Sequence, residues 1–133
     1  MANESKRQID KRYAAKLKTD LPRYLRNSLK YKRFHARKAG VYFELDQEWL
    51  SKQPLTCAIS GMKFVIPPKG MGPLTPSFDR KDPSLGYTKS NTQLICLFLN
   101  MAKGNWPQDE IIALLKLAVR PRRPSRAVRS NDP

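Results

Sequence analysis

The 133-residue chain is poor in cysteine, in acidic side chains and in long apolar runs. Two cysteines are too few for a disulfide scaffold or a self-contained four-thiolate zinc site. No apolar run approaches the roughly 20 residues needed to cross a bilayer. The opening Met1-Ala-Asn-Glu-Ser-Lys-Arg7 leads into no apolar stretch of a secretory signal. These absences lead us to expect a cytoplasmic protein that engages no membrane, built as one domain with tails.

What is present is positive charge: 26 Lys and Arg against 11 Asp and Glu, a formal net charge of +15. Residues 1–40 hold 13 basic and 3 acidic side chains, residues 41–119 hold 8 and 7, and residues 120–133 hold 5 and 1. A nearly neutral middle therefore lies between two basic ends. Such ends fit a polyanionic partner, nucleic acid first, because neutralised phosphates release counterions whatever the base sequence. A solubilising surface or a structural RNA-binding role would explain the charge alone.

Helical spacing marks residues 5–19, where Ile9, Tyr13 and Leu17 recur every four positions. Asp20 and Pro22 then open a second expected helix to about residue 39. Tyr24, Leu25, Leu29 and Phe34 form its apolar side, and Gly40 is its stop. Whether Asp20 breaks or bends the run stays open at this point. Residues 41–45 have strand composition, and Asp46 is placed to cap a short helix carrying Trp49 and Leu50. Residues 57–61 read as a turn, 63–66 as a short strand and the Pro/Gly-rich 67–73 as a loop. Residues 76–80 and 92–95 form the arms of a hairpin. A helix over 96–103 stops at Gly104, and another over 107–118 starts at Pro107 with Asp109 and Glu110 in its first turn. The polar remainder, 120–133, is expected to be a disordered basic tail.

Within the middle, Asp79, Gly86, Asn91, Gln93, Cys96, Asn100 and Lys103 follow a definite order. An Asp ends a strand, a Gly sits in the loop, Asn-x-Gln-x-x-Cys enters a helix, and the helix supplies Asn and then Lys. This segment resembles the ββα-metal (His-Me finger, HNH) endonucleases, and Cys57-x-Ile-x-Gly61 stands where that family has its first zinc knuckle. The resemblance covers about residues 41–118. It implies an α+β fold with a small ββα-metal finger core (41–119) that includes the C-terminal helix; outside the resemblance, the N-terminal basic helices (1–40) are expected from their charge to grip DNA and the tail to add unspecific affinity. The resemblance also implies hydrolysis of DNA phosphodiesters with one Mg²⁺ or Mn²⁺, held by oxygens of Asp79 and Asn100. A hard divalent cation neutralises charge in that reaction and keeps most of its waters.

Two departures from the family pattern matter. Arg80 stands where the family has its general-base histidine, and the chain's single histidine is the distant His35. Arg cannot act as a base. The arrangement is similar to a rare-cutting HNH restriction-enzyme subgroup in which Arg replaces His and a loop Tyr is the base. That resemblance gives Tyr87 the role of base, Arg80 that of phosphate ligand and Asn91 that of loop brace. Tyrosine is a weak acid that needs positive neighbours, for which Arg80, Lys89 and the metal are the candidates. The second departure is Cys57-Ala-Ile-Ser60 and Cys96-Leu-Phe-Leu99, each half of a zinc knuckle. No structural zinc is expected. Packing of Ile59, Phe64, Leu94, Leu97, Phe98 and the 107–118 helix would hold the core, with Cys57 and Cys96 as neighbouring thiols.

Lys103, Lys89, Arg26, Lys30, Arg33 and Arg37 are the expected contacts to double-stranded or branched DNA. One such site nicks one strand, so a double-strand cut would need a homodimer. Size suggests a phage or mobile-element protein. The alternative is a non-catalytic DNA- or RNA-binding protein on a decayed HNH fold.

Overall fold

The computed structural model describes residues 5–122, with side chains in the 13–20 stretch and at residues 6, 9 and 10 left aside. Most of the 120–133 tail, and the Ile9/Tyr13/Leu17 spacing as a packing face, therefore lie outside what is described. The elements run α1 (Lys6–Lys38), α2 (Gln47–Ser51), β1 (Pro76–Arg80), β2 (Thr92–Cys96), α3 (Leu97–Lys103) and α4 (Gln108–Ala118). None of the described helices is long and apolar enough to cross a membrane.

The two expected N-terminal helices are one, α1, with Pro22 inside it. A proline in a helix interior costs about 3 kcal/mol through its missing N–H and its clash with the preceding turn. Leu21, Leu25, Leu29 and Ala36 are buried along one stripe of α1. Each buried leucine contributes about 1.5–3 kcal/mol, so the stripe outweighs the proline. The stop at Gly40 is as expected. The backbone N–H of Val41 bonds to Ala36 O at 2.8 Å and that of Gly40 to Arg37 O at 3.1 Å, a Schellman closure. It requires a left-handed residue, and Gly40 has φ 71°.

Asp46 caps α2, its Oδ1 accepting the Trp49 N–H at 2.8 Å. The strand expected at residues 41–45 is instead a single parallel bridge between Phe43 and Tyr87, and that expected at 63–66 is a single bridge between Thr56 and Lys63. Both segments have strand-forming residues but lack a run of partners, the second being cut short by Pro67 and Pro68. The hairpin is antiparallel, with Asp79 opposite Gln93 and Pro76 opposite Cys96.

The core joins the α1 stripe to Leu45, Trp49, Leu50, Phe64, Phe78, Leu94, Ile95 and Leu99. Phe64 and Leu94 are buried as expected and Ile59 packs on the core. Phe98, by contrast, is exposed, and α4 buries no residue, reaching the core through Leu115 alone. The α1 leucines, which the expected core did not include, belong to it instead. Cys57 and Cys96 are free, buried and adjacent, the Cys96 N–H lying 3.4 Å from Cys57 Sγ. Burial, with Cys57 alongside, pushes the Cys96 thiol up to about 11. For Cys57 burial acts in the same direction, but hydrogen bonds from Ser60, Cys96 and Ile59 outweigh it and bring the thiol below its ordinary value.

Candidate active site

The loop joining the two strands is shaped by Asn91. Its Oδ1 accepts the Asp82 N–H at 3.0 Å, and its Nδ2 donates to Asp82 O at 3.1 Å and to Gly86 O at 2.9 Å. Asp82 in turn accepts from the Ser84 hydroxyl at 2.6 Å and the Ser84 N–H at 2.9 Å, which holds its carboxyl below the usual range. Gly86 lies against Tyr42, where a Cβ would sit 2.7 Å from a carbonyl oxygen, so no larger residue fits without a shift. Past this point the chain is pinned on both sides: the Tyr87 N–H donates to Tyr42 O at 2.8 Å, and Tyr87 O accepts from the Glu44 N–H at 3.0 Å.

Tyr87 is thereby buried, its ring 5.6 Å from that of Phe43 between centroids. Two cations face the same ring: Lys32 Nζ and the Arg80 guanidinium carbon each lie 5.1 Å from its centroid. Such contacts are attractive through the ring quadrupole. Arg80 also donates from Nη1 to Leu85 O at 3.1 Å.

Beneath this lies a buried polar network. Asp79 Oδ2 accepts from Lys103 Nζ at 2.6 Å and from Gln93 Nε2 at 2.9 Å. Lys103 Nζ also reaches Arg80 O at 2.9 Å and Gln108 Oε1 at 3.5 Å. Gln93 Nε2 donates its second hydrogen to Gln108 Oε1 at 2.8 Å. Three ammonium protons meet three acceptors, so the network is satisfied despite its burial. Asn100, on α3, commits its Nδ2 to Ser77 Oγ at 2.6 Å and Phe78 O at 3.3 Å. One oxygen each of Asp79 and Asn100 is left without a hydrogen bond to any described residue.

Asp79, Arg80, Tyr87 and Asn100 line one hollow of about 120 Å³, together with Lys32, Phe78, Pro83, Gly104 and Asn105. Asn91 shapes its loop from behind. The other expected residues are elsewhere. Lys103 is 1% exposed beneath the hollow, facing Asp79 instead of solvent. Lys89 pairs with Asp46 at 3.2 Å, an ion pair that raises the lysine and, with the Trp49 N–H, lowers the carboxyl. It is therefore Lys32 that stands beside Tyr87 with Arg80. Arg33 donates to Leu45 O at 3.2 Å and lies over Phe43, while Arg26, Lys30 and Arg37 are exposed on α1. His35 is exposed against Tyr31, away from the hollow. Sequence reasoning missed Lys32 and Gln108. Lys32 had a signal: it falls at helical spacing on the line of Leu25, Leu29 and Ala36. Gln108 had none.

No protein-family model and no curated protein sequence matches the chain. Among solved structures it is similar to the rare-cutting HNH restriction endonuclease PacI, with a TM-score of 0.53 and 23% identity over 68% of this chain and 73% of that one. The core has the HNH-type ββα fold. In this chain the two β strands and the helix of that fold are β1, β2 and α3, and they are the elements that carry Asp79, Arg80 and Asn100.

Proposed function

We propose that the protein is a metal-dependent endonuclease that hydrolyses DNA phosphodiester bonds at the hollow between β1, α3 and the 81–91 loop. One observation carries the reading: on an HNH-type core, an acid, an amide, an arginine and a tyrosine line a single small cavity. Among the described residues no group of three or more His, Cys, Asp and Glu gathers to hold a metal. The oxygens left over on Asp79 and Asn100 nevertheless suit a hard cation that takes its remaining ligands from water and phosphate. These two residues would hold Mg²⁺ or Mn²⁺, which when bound supplies charge neutralisation at the phosphate and the leaving oxygen. Arg80 holds the phosphate, and the Tyr87 side-chain oxygen, hydrogen-bonded to no described residue, acts in its deprotonated phenolate form to take the proton of the attacking water and become the phenol. Asn91 fixes the loop that carries Tyr87, and Lys103 positions Asp79. Exposed cations of α1 hold the backbone of double-stranded or branched DNA. A cut in both strands takes two copies of the chain.

A second reading, a non-catalytic DNA- or RNA-binding protein on the same fold, is favoured by one contact: the Lys103 ammonium 2.6 Å from Asp79 already balances the carboxylate. Incubating supercoiled plasmid and branched DNA with Mg²⁺ or Mn²⁺ separates the two. Nicking by the wild type is the expected result. Tyr87→Phe keeps the ring and its two cations, and should nick about 10²-fold more slowly, in the range of a lost general base. Absence of nicking on every DNA form would leave the binding reading. Equal rates for Tyr87→Phe would remove Tyr87 as base and leave the nuclease intact.

A further inference from the structure

We propose that Lys32, on α1 and outside the ββα core, forms with Arg80 a two-cation clamp for a phosphoryl group in front of Tyr87. The inference rests on the reading of the hollow as a phosphodiester site, and it assigns part of that site to the basic helix.

Lys32 stands on the inward stripe of α1, between the buried Leu29 and Ala36, and is itself half-buried. An apolar side chain would pack there at no electrostatic cost, whereas an ammonium withdrawn from water needs compensation. No carboxylate among the described residues supplies it. The described ion pairs are Lys52–Glu48, Lys89–Asp46 and Lys103–Asp79, so the one acid lining the hollow is already balanced by its own lysine. Glu44, whose backbone bonds to that of Tyr87, has its carboxylate engaged by the Tyr42 hydroxyl and the Lys89 N–H. Among the described residues the Arg80 guanidinium likewise meets only a carbonyl and the tyrosine ring. Two cations from separate elements thus converge on one ring, each 5.1 Å from its centroid, in a hollow whose one acid among the described residues, Asp79, is paired with Lys103 and not with them. Their mutual repulsion is relieved by a bound anion. Phosphoryl oxygens fit this role, since ammonium and guanidinium both bind them through charge-assisted hydrogen bonds. Lys32 and Asn100 also line a groove of about 560 Å³ that opens beside the hollow along Tyr24, Asn27 and Tyr31. A phosphate that belongs to a nucleic-acid strand therefore has a path out along α1.

The test uses the full chain without divalent metal, so that nothing is cut. Amide shifts of residues 80–88 are followed by NMR on titration with inorganic phosphate and, separately, with a short DNA duplex. Lys32→Met should weaken both titrations about tenfold, the loss of one charged hydrogen bond. Lys32→Arg should restore them, and Lys116→Met, on α4, should reproduce the wild type. A Lys32→Met melting temperature at or above the wild-type value supports the clamp, because a lysine kept for structure would lower it when replaced. Unchanged titrations in Lys32→Met overturn the clamp, and a response to duplex but not to inorganic phosphate overturns it as a phosphoryl site. Binding with wild-type strength to phosphate by a chain that nicks no DNA would keep the clamp and sink the nuclease. Nicking by Lys32→Met at the wild-type rate would do the reverse.

Discussion

The floor and the rim of the hollow are built from neighbouring residues but balance their charge in opposite ways. The floor, Asp79 with Lys103, Gln93 and Gln108, is buried, electrically neutral and complete, its ammonium protons and the Gln93 amide protons each having an acceptor within the chain. The rim, Arg80 and Lys32 around Tyr87, is cationic, and neither cation is paired with an acid among the described residues. Asp79 and Arg80 are adjacent on β1, and the alternation of the strand sends one to each environment. A closed network fixes shape, whereas an open cluster of like charges is completed by something from outside. The difference separates residues that position from residues that bind.

The largest effect should come from opening the floor. Lys103→Met removes one partner of a buried pair and leaves the Asp79 carboxylate uncompensated, a cost of about 3–5 kcal/mol. Denaturant unfolding should show that loss. The double variant Lys103→Met/Asp79→Leu removes both charges and should recover most of the stability, while nicking stays lost because the ligand oxygen has gone. Recovery of activity in the double variant would show that the floor takes no part in the chemistry. Asp79→Ala alone is a poor test of catalysis for the same reason: it strands Lys103 and confounds inactivity with unfolding.

A smaller effect distinguishes the rim from the outer face of α1. Replacing Arg26, Lys30 and Arg37 together with Gln should weaken DNA binding and flatten its salt dependence, by a slope of about 0.9 for each phosphate no longer neutralised. The turnover rate at saturating DNA should hardly move. Lys32→Met should do the contrary, lowering turnover while leaving most of the salt slope. If the triple variant lowered turnover as strongly as Lys32→Met, the distinction between gripping and clamping would fail.

Much of this arrangement is legible in the chain. The hairpin arms, the Asp46 cap, the Gly40 stop and the short helix ending at Gly104 each have a local cause, so local reading finds them. The seven spaced residues of the finger point to its fold for the same reason. What is not legible depends on distant packing. The Asp20–Pro22 break is overridden by leucines meeting a core formed from later residues. Strand-forming composition at residues 41–45 cannot reveal that a single bridge partner, Tyr87, is on offer. Nearness in sequence puts Lys89 beside Tyr87, yet Asp46, 43 positions earlier, claims it and α1 supplies Lys32 instead. Lysines are usually solvated, which makes Lys103 a natural phosphate contact on paper. It is the packing of α3 against β1, with Gln108 alongside, that turns it inward.

The smallest expected effect probes the captured Lys89 from the acid side. Asp46 caps α2 through the Trp49 N–H and pairs with Lys89, and both contacts lower its carboxyl from 3.8. A carboxyl lowered by folding stabilises the native state above its unfolded value, and the contribution is lost as pH falls through the lower, folded one. Trp49 Nε1 also donates to Lys89 O at 3.1 Å, so α2 and the loop carrying Tyr87 are joined twice at this point. Acidification below about pH 4 should therefore loosen α2 and the loop together. The fluorescence of Trp49 in a Trp106→Phe background reads this directly. Asp46→Asn retains a capping oxygen but no charge to titrate, so its acid transition should flatten while the neutral-pH signal stays close to the parent's. An unchanged transition in Asp46→Asn would assign the acid response to other carboxylates and leave Lys89 free to turn toward DNA without loss to the fold.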